Sequence, residues 1–509
     1  MGGGAGGLAC APMSLRQIGH WIDHEHLVPA AAATSTVRDP ATGAELAAVS
    51  HADAAVVDAA VSSARTAFAE WRQTPMSRRL PILYRMREEL RARADELAAL
   101  IASEHGKVVE DADGEIQRGL EIVELACSAP VMTRGAYSEQ VAGGIDTYSI
   151  RQPLGVCVGI TPFNFPAMVP LWMFPVALAC GNTFILKPSE RDPSASLLLA
   201  EIARDAGLPA GVLNVVQGGK AAVEALIDHP DVAAVSFVGS TAIARRVYER
   251  SAAAGKRVQA LGGAKNHVVV MPDADVEQAA DAVVSAAFGS SGQRCMAISI
   301  GVAVGAVGDR LVEAVRERVA KLVVGPATDA AAEMGPLITA AARDRVSDYV
   351  ERGVAAGAEL VADGRELPPG LDGGYFLGPT VFEQVRPGMD VYDDEVFGPL
   401  LGVTRVATLA EAIELIARNP YGNGAAIFTA SGRAARTFQR EVEAGMVGIN
   451  VAIPVPVGYY SFGGWGDSLF GDTHLYGPEG FHFYTRGKVV TSRWPESESA
   501  GVNLRFPNG

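Results

Sequence analysis

The sequence predicts an α/β protein built on parallel sheets, and three observations carry that expectation. From residue 154 onward, apolar strand-like runs alternate with helix-length segments: LGVCVGI, TFILKP, VLNVV and AAVSFVGS are each followed by such a segment. A second alternation starts at HVVVMP, continues through AISIGVAVG, and resumes at LLGVTRV, AAIFTA and GMVGIN. This β-α-β rhythm sets strands parallel, with helices on both faces. The chain has 509 residues, more than one hydrophobic core serves, so two or three domains are expected.

Taken in order, residues 1–13 read as disordered, with Met13 as the functional start. Gly2, Gly4 and Gly7 fit G-x-G-x-x-G literally. No strand pattern precedes them and no helical pattern follows, so a phosphate-binding turn has no scaffold there. Residues 36–50 read as a hairpin turning at Asp39-Pro40 and Thr42-Gly43. Helices are expected at 52–72 and 77–105, and GEIQRGLEIVELAC reads as another. Further helices are expected at 194–206, 220–228, 241–254 and 308–322, and the tail from 474 reads as strand. The longest uncharged run, between Arg151 and Lys187, is long enough for a membrane span. Pro162, Pro166, Pro170 and Pro175 interrupt it, so it reads as a buried strand, a loop and a buried helix.

The net charge is −15, which argues against a nucleic-acid face. The cysteines, Cys10, Cys127, Cys157, Cys180 and Cys295, are odd in number and widely spaced, with no C-x-x-C. That favours a reducing, cytoplasmic compartment over disulfides or a zinc site. The histidines form no ligand cluster, and His24 with His26 reads as no metal site. No secretory signal precedes Met13.

Three segments carry candidate chemistry. In SFVGSTAIARRVYE a strand runs into Gly239, Ser240 and Thr241 and then a helix, whose N-terminal N–H groups suit an anion. A plain strand-to-helix turn reads the same way. In TFILKPSERD a strand ends at Lys187 with Glu190 three residues on, placed to bond ribose hydroxyls or to form a solvated ion pair. In AAFGSSGQRCMAIS, Cys295 follows a Gly/Ser turn beside Arg294. A nearby cation favours thiolate, whereas the bland alternative is a small buried thiol.

Together these segments resemble the aldehyde dehydrogenase family over residues 20–495. TPFNFP, KPSE, FVGST, LGG at 261–263, GQRC and EVFGP at 395–399 stand in the family's order and spacing. The resemblance implies an aldehyde dehydrogenase fold with a Rossmann-type NAD domain (14–130 and 149–258), an α/β catalytic domain (259–466) and a small β oligomerisation arm (131–148 and 467–495). It also implies a homotetramer. Cys295 would be the nucleophile, and Asn164 an oxyanion donor alongside the Cys295 N–H. Phe163, Lys187, Glu190, Gly239, Ser240, Glu395 and Phe397 would bind NAD. Ala244 departs from the family, where a glycine is common.

A larger departure is Ala260. Hydrolytic members carry a glutamate there to activate water, and an alanine takes no proton. LGGAKNHVVVMPDAD, GQRCMAIS, NVAIPVPVGYYSFGG and GKVVTSRW are similar to the methylmalonate-semialdehyde dehydrogenase branch. That likeness implies a semialdehyde substrate, decarboxylation, and transfer of the acyl group from Cys295 to coenzyme A. Arg118 and Arg294 would bind the substrate carboxylate. Arg118 lies beside apolar Ile122 and Leu125, where an unpaired arginine is costly, although pairing with Glu115 or Glu121 is the plainer reading. Two other readings remain: hydrolysis to a free acid, and a non-catalytic protein on the same fold. No metal, nucleic acid or membrane is expected.

Overall fold

Short apolar strands alternating with helices give two mainly parallel sheets. The structure, a computed structural model, describes residues 15–30 and 32–494. The expectations for residues 1–13, with Gly2, Gly4, Gly7, Cys10 and Met13, lie outside those residues.

The first sheet has eight strands. Its parallel centre runs Arg257–Leu261, Val232–Val238, Val156–Ile160, Thr183–Lys187 and Leu213–Val215, with antiparallel strands at both edges. Chain order proceeds one way from Val156–Ile160 and then reverses to its other side. A crevice opens at such a reversal, beyond the carboxyl ends of the strands. The second sheet has seven strands, ordered Glu359–Ala362, Thr380–Glu383, Leu400–Val406, Ile298–Val304, Asn266–Val270, Gly424–Phe428 and Met446–Ile449. The hairpin appears as Thr34–Arg38 against Glu45–Ser50.

The uncharged run folds as the buried strand Val156–Ile160, a loop, and the helix Met168–Ala179, every residue of which is buried. Among the described residues no helix is long and apolar enough to cross a membrane. The stretch expected as one helix over 77–105 is two, Met76–Ala92 and Ala94–His105, broken at Arg93, whose φ −108° and ψ 17° are not helical. The tail also differs from its strand reading. Gly477–Phe483 is helical, while Leu469–Phe470 just before the tail joins the edge of the first sheet as a strand. Phe481 and Phe483 are buried, so tertiary burial overrides strand propensity there. Thr485–Arg493 then pairs with Ile145–Pro153, which pairs with Tyr137–Ala142, forming a three-stranded arm.

Candidate active site

The carboxyl ends of the first sheet meet the amino ends of the second across a cavity of about 650 Å³. Phe163, Asn164, Lys187, Glu190, Gly239, Ser240, Cys295, Glu395 and Phe397 all line it. Arg118 and Arg294 do not line it; Arg294 shares a smaller recess with Cys295.

Cys295 arrives there on a strained turn. The helix Val276–Phe288 ends at Gly289, and Ser290, Ser291 and Gly292 follow with φ of 53°, 54° and 68°. Left-handed serines persist only where their surroundings hold them. Asp111 accepts from the Ser290 N–H at 2.9 Å, and Ser291 Oγ donates to the Gly335 carbonyl at 2.6 Å. A side chain at position 292 would meet the Gly398 carbonyl at 2.2 Å, so the turn requires glycine.

The thiol is not the acidified group that its neighbour suggests. Burial and then Glu395 push Cys295 up to about 12, and Arg294 opposes them only weakly. The reason is tertiary: the Arg294 guanidinium is paired with Asp111 and lies over Gly289.

The loop carrying Asn164 is held from below by charge. Lys107 and Glu115 form a fully buried ion pair. Lys107 Nζ also donates to the Asn164 carbonyl at 2.7 Å and sits 4.5 Å from the centre of the Phe165 ring. Glu115 accepts from the Ala167 and Met168 N–H groups at 2.9 and 3.1 Å, at the start of the helix Met168–Ala179. A carboxylate at a helix N-terminus meets free donors and the favourable end of its dipole. Among the described residues the Asn164 side chain has no hydrogen-bond partner, which leaves its amide for a ligand.

Lys187 and Glu190 pair at 3.4 Å on the cavity wall. Burial lowers Lys187. Burial opposes ionisation of Glu190 too, but Lys187 and the residue's own backbone outweigh it and hold it below the usual range. Neither Ser240 nor Thr241 caps the helix Thr241–Ala253: Ser240 makes no side-chain cap bond, and Thr241 Oγ1 accepts from the Gly263 N–H at 2.9 Å. The first turn is therefore open towards the cavity. Glu395 accepts from the Ala264 N–H at 2.9 Å and is raised by burial to about 7. Phe397 has φ 51°, and its ring stands edge-on to Phe163 with centroids 5.9 Å apart.

Arg118 is not buried as its apolar neighbours suggest. Its side chain is 41% exposed and pairs with Glu121 at 3.0 Å, the plainer of the two sequence readings. It shares a stripe with Asp111 and Glu115, at i, i+4 and i+7 of the helix Val109–Ala126. Asp111 reaches the Cys295 turn and Glu115 the Asn164 loop. Beyond the helix, the buried Tyr476 hydroxyl feels both Arg118 and Cys295. Sequence reading missed Asp111, Lys107 and Glu115 as supports; the helical spacing of D-x-x-x-E-x-x-R was the available signal. Ala260 is fully buried, paired with Phe237 and Phe470. Ala244 is buried in the same cluster, so its methyl packs rather than lining the cavity.

The model of the aldehyde dehydrogenase family matches residues 27–490. A malonate-semialdehyde dehydrogenase of Pseudomonas aeruginosa is 52% identical over 492 residues, covering 96% of this chain and 99% of that one. The crystal structure of a methylmalonate-semialdehyde dehydrogenase from Oceanimonas doudoroffii is 50% identical with a TM-score of 0.94, covering 95% of this chain and 99% of its own. A Sinorhizobium meliloti relative, solved as a complex with NAD, is 48% identical with a TM-score of 0.94, covering 96% of this chain and 100% of its own.

Proposed function

The chain belongs to the aldehyde dehydrogenase family, and from that membership we propose that it is an NAD-dependent, coenzyme A-acylating dehydrogenase. Its substrate is malonate or methylmalonate semialdehyde, and its product acetyl- or propionyl-coenzyme A. The names of the relatives support the substrate. The observation that carries acyl transfer to coenzyme A is Ala260, a buried methyl at the position where hydrolytic members place a base.

The cavity fits the cofactor: a side chain at Gly263 would strike Glu395 at 2.2 Å, so the backbone there stays bare beside the open helix N-terminus. Lys187 and Glu190 hold the adenosine ribose, Gly239 and Ser240 the pyrophosphate, and Glu395, Phe397 and Phe163 the nicotinamide ribose and ring. NAD, when bound, supplies the acceptor for the aldehyde hydrogen. Cys295 Sγ adds to the aldehyde carbon as thiolate, and oxidation leaves a thioester on Cys295. The Asn164 amide and the Cys295 N–H hold the oxygen of that thioester. Arg118 and Arg294, paired in the free protein with Glu121 and Asp111, would exchange those partners for the β-carboxylate and hold it until it leaves as carbon dioxide. The electrons of the broken bond pass to the held carbonyl as an enolate, which then takes a proton. The thiol of coenzyme A attacks the thioester, and Cys295 departs as thiolate.

We assign residues 14–130 and 149–258 to cofactor binding, 259–466 to catalysis, and 131–148 with 467–495 to assembly. The arm exposes Tyr137, Val141 and Val489. Apolar groups left in water on an edge sheet favour association, which supports an oligomer; that it is a homotetramer rests on the family resemblance. The described cysteines are all free, which suits a cytoplasmic setting.

The test is product analysis. From each semialdehyde, NADH, acyl-coenzyme A and free acid are measured with and without coenzyme A. Acyl-coenzyme A matching NADH is expected. Rapid free acid without coenzyme A would show a hydrolytic enzyme, and no NADH from either semialdehyde would overturn the reading.

A further inference from the structure

The carbonyl of Cys295 is held from two sides. Asn266 opens the strand Asn266–Val270 and is 2% exposed. Its Nδ2 donates to the Cys295 carbonyl at 2.9 Å and to the Ala297 carbonyl at 3.0 Å. Asn423, in the residue before the strand Gly424–Phe428, donates through Nδ2 to the same Cys295 carbonyl at 3.1 Å. The Gly424 N–H donates to Asn266 Oδ1 at 3.1 Å, which fixes the end of that carboxamide that carries hydrogens. A carbonyl oxygen has two lone pairs, and here both are taken by buried side chains rather than water.

That carbonyl belongs to the peptide joining Cys295 to Met296. The N–H of the same peptide and the N–H of Cys295 itself both favour the charged form of the Cys295 sulfur. A peptide unit is planar, so fixing its oxygen fixes the direction of its N–H. Donors on the oxygen also polarise the unit and strengthen that N–H as a donor.

The remaining groups facing the sulfur do not supply this support. Glu395 disfavours the thiolate, Arg294 is engaged by Asp111, and Tyr476 is a buried neutral phenol. We propose that Asn266 and Asn423 are positioning residues for the nucleophile, holding the Cys295–Met296 peptide so that its N–H stabilises the thiolate that attacks the aldehyde. The carboxamides suit the task because they do not titrate, whereas a second fixed charge here would alter the neighbouring Glu395. The inference rests on Cys295 being the reacting group. When the sulfur bonds to carbon its negative charge is gone, and the Cys295 N–H is left to serve the oxyanion.

Asn423→Leu is the sharper variant, because it keeps the side-chain shape and orphans no other donor. Asn266→Ala is the second. For both, the rate of iodoacetamide labelling at Cys295 is followed against pH, located by peptide mass, with NAD affinity and Tm measured on the same samples. For Asn423→Leu the expected result is a labelling midpoint about 0.5–1 pH unit higher and kcat/KM about three- to tenfold lower near neutral pH, as for one lost neutral hydrogen bond. The deficit closes as pH rises, and NAD affinity is unchanged. Asn266→Ala moves the midpoint the same way. Unchanged midpoints in both variants, or an equal loss of activity at every pH, would overturn the proposal and leave the asparagines a structural role. Cys295→Ala separates the two readings. If it forms no NADH, the nucleophile stands whatever the asparagine variants do; if it retains turnover, the reading of Cys295 fails instead.

Discussion

Beneath Asn164 the support is ionic, Lys107 on the loop carbonyl and Glu115 on two amides at a helix start; on the Cys295 carbonyl itself it is neutral, two carboxamides, with Asp111 bracing only the preceding turn. Both loops bear on the same cavity and both are reached from the helix Val109–Ala126. The difference follows from what each loop must do. Asn164 needs only to be held still, so a strong charged clamp is tolerable where its two charges cancel out of reach of the sulfur. Cys295 has to change protonation state. A fixed charge on its peptide would change the balance among thiol, Glu395 and Arg294, whereas a carboxamide orients without titrating. Ionic supports fail hard, because removing one partner strands the other in low dielectric; neutral supports fail by single hydrogen bonds.

The comparison is broken most directly at Lys107. Lys107→Met strands Glu115, and a loss of about 3–5 kcal/mol in unfolding free energy is expected from such a break. Urea unfolding measures it, beside Asn423→Leu as the neutral counterpart, for which only about 1 kcal/mol is expected. Equal losses in the two variants would erase the distinction between the clamps. Adding Glu115→Leu to Lys107→Met should recover part of the loss but not all, since Glu115 also serves two helix amides.

Among the described residues Arg118, the third member of the Asp111–Glu115 stripe, bonds neither loop and pairs only with Glu121. If it is instead kept for the substrate carboxylate, Arg118→Leu should lower efficiency on the semialdehydes about ten- to hundredfold relative to propionaldehyde, which lacks that carboxylate. Parallel losses on both substrates would make it another support.

The smallest expected effect concerns Glu395, beside the neutral clamp. Its folded value of about 7 lies above the ordinary carboxylate value of 4.5. Between those values the unfolded chain is ionised while the folded chain holds the proton, so this group's contribution makes the protein less stable as pH rises through that window, with no further change above it. A ribose hydroxyl donating to the carboxylate favours the ionised form. NAD affinity should therefore tighten as pH rises through about 7, by less than about tenfold. Titration calorimetry across pH checks it, and Glu395→Gln should flatten the profile. A profile identical in the variant would place the titration on another group.

The sequence by itself determined the parallel α/β plan, because alternation of apolar runs with helical periods is a local pattern. The strand–loop–helix reading of the run between Arg151 and Lys187 followed in the same way from its prolines. The tail did not, since Gly477–Phe483 is helical only where its aromatics find the core. Local motifs also nominated Asn164, Lys187, Glu190, Gly239, Ser240, Cys295 and Glu395, and the fold gathers them on one cavity. What the tertiary structure alone decided is how those groups are held and charged. Arg294 is next to Cys295 in the chain, yet it is spent on Asp111, 183 positions away. The donors on the Cys295 carbonyl come from 29 and 128 positions away. Acidity, burial and orientation depend on which atoms crowd a group in space, and that neighbourhood exists only once distant segments have packed together.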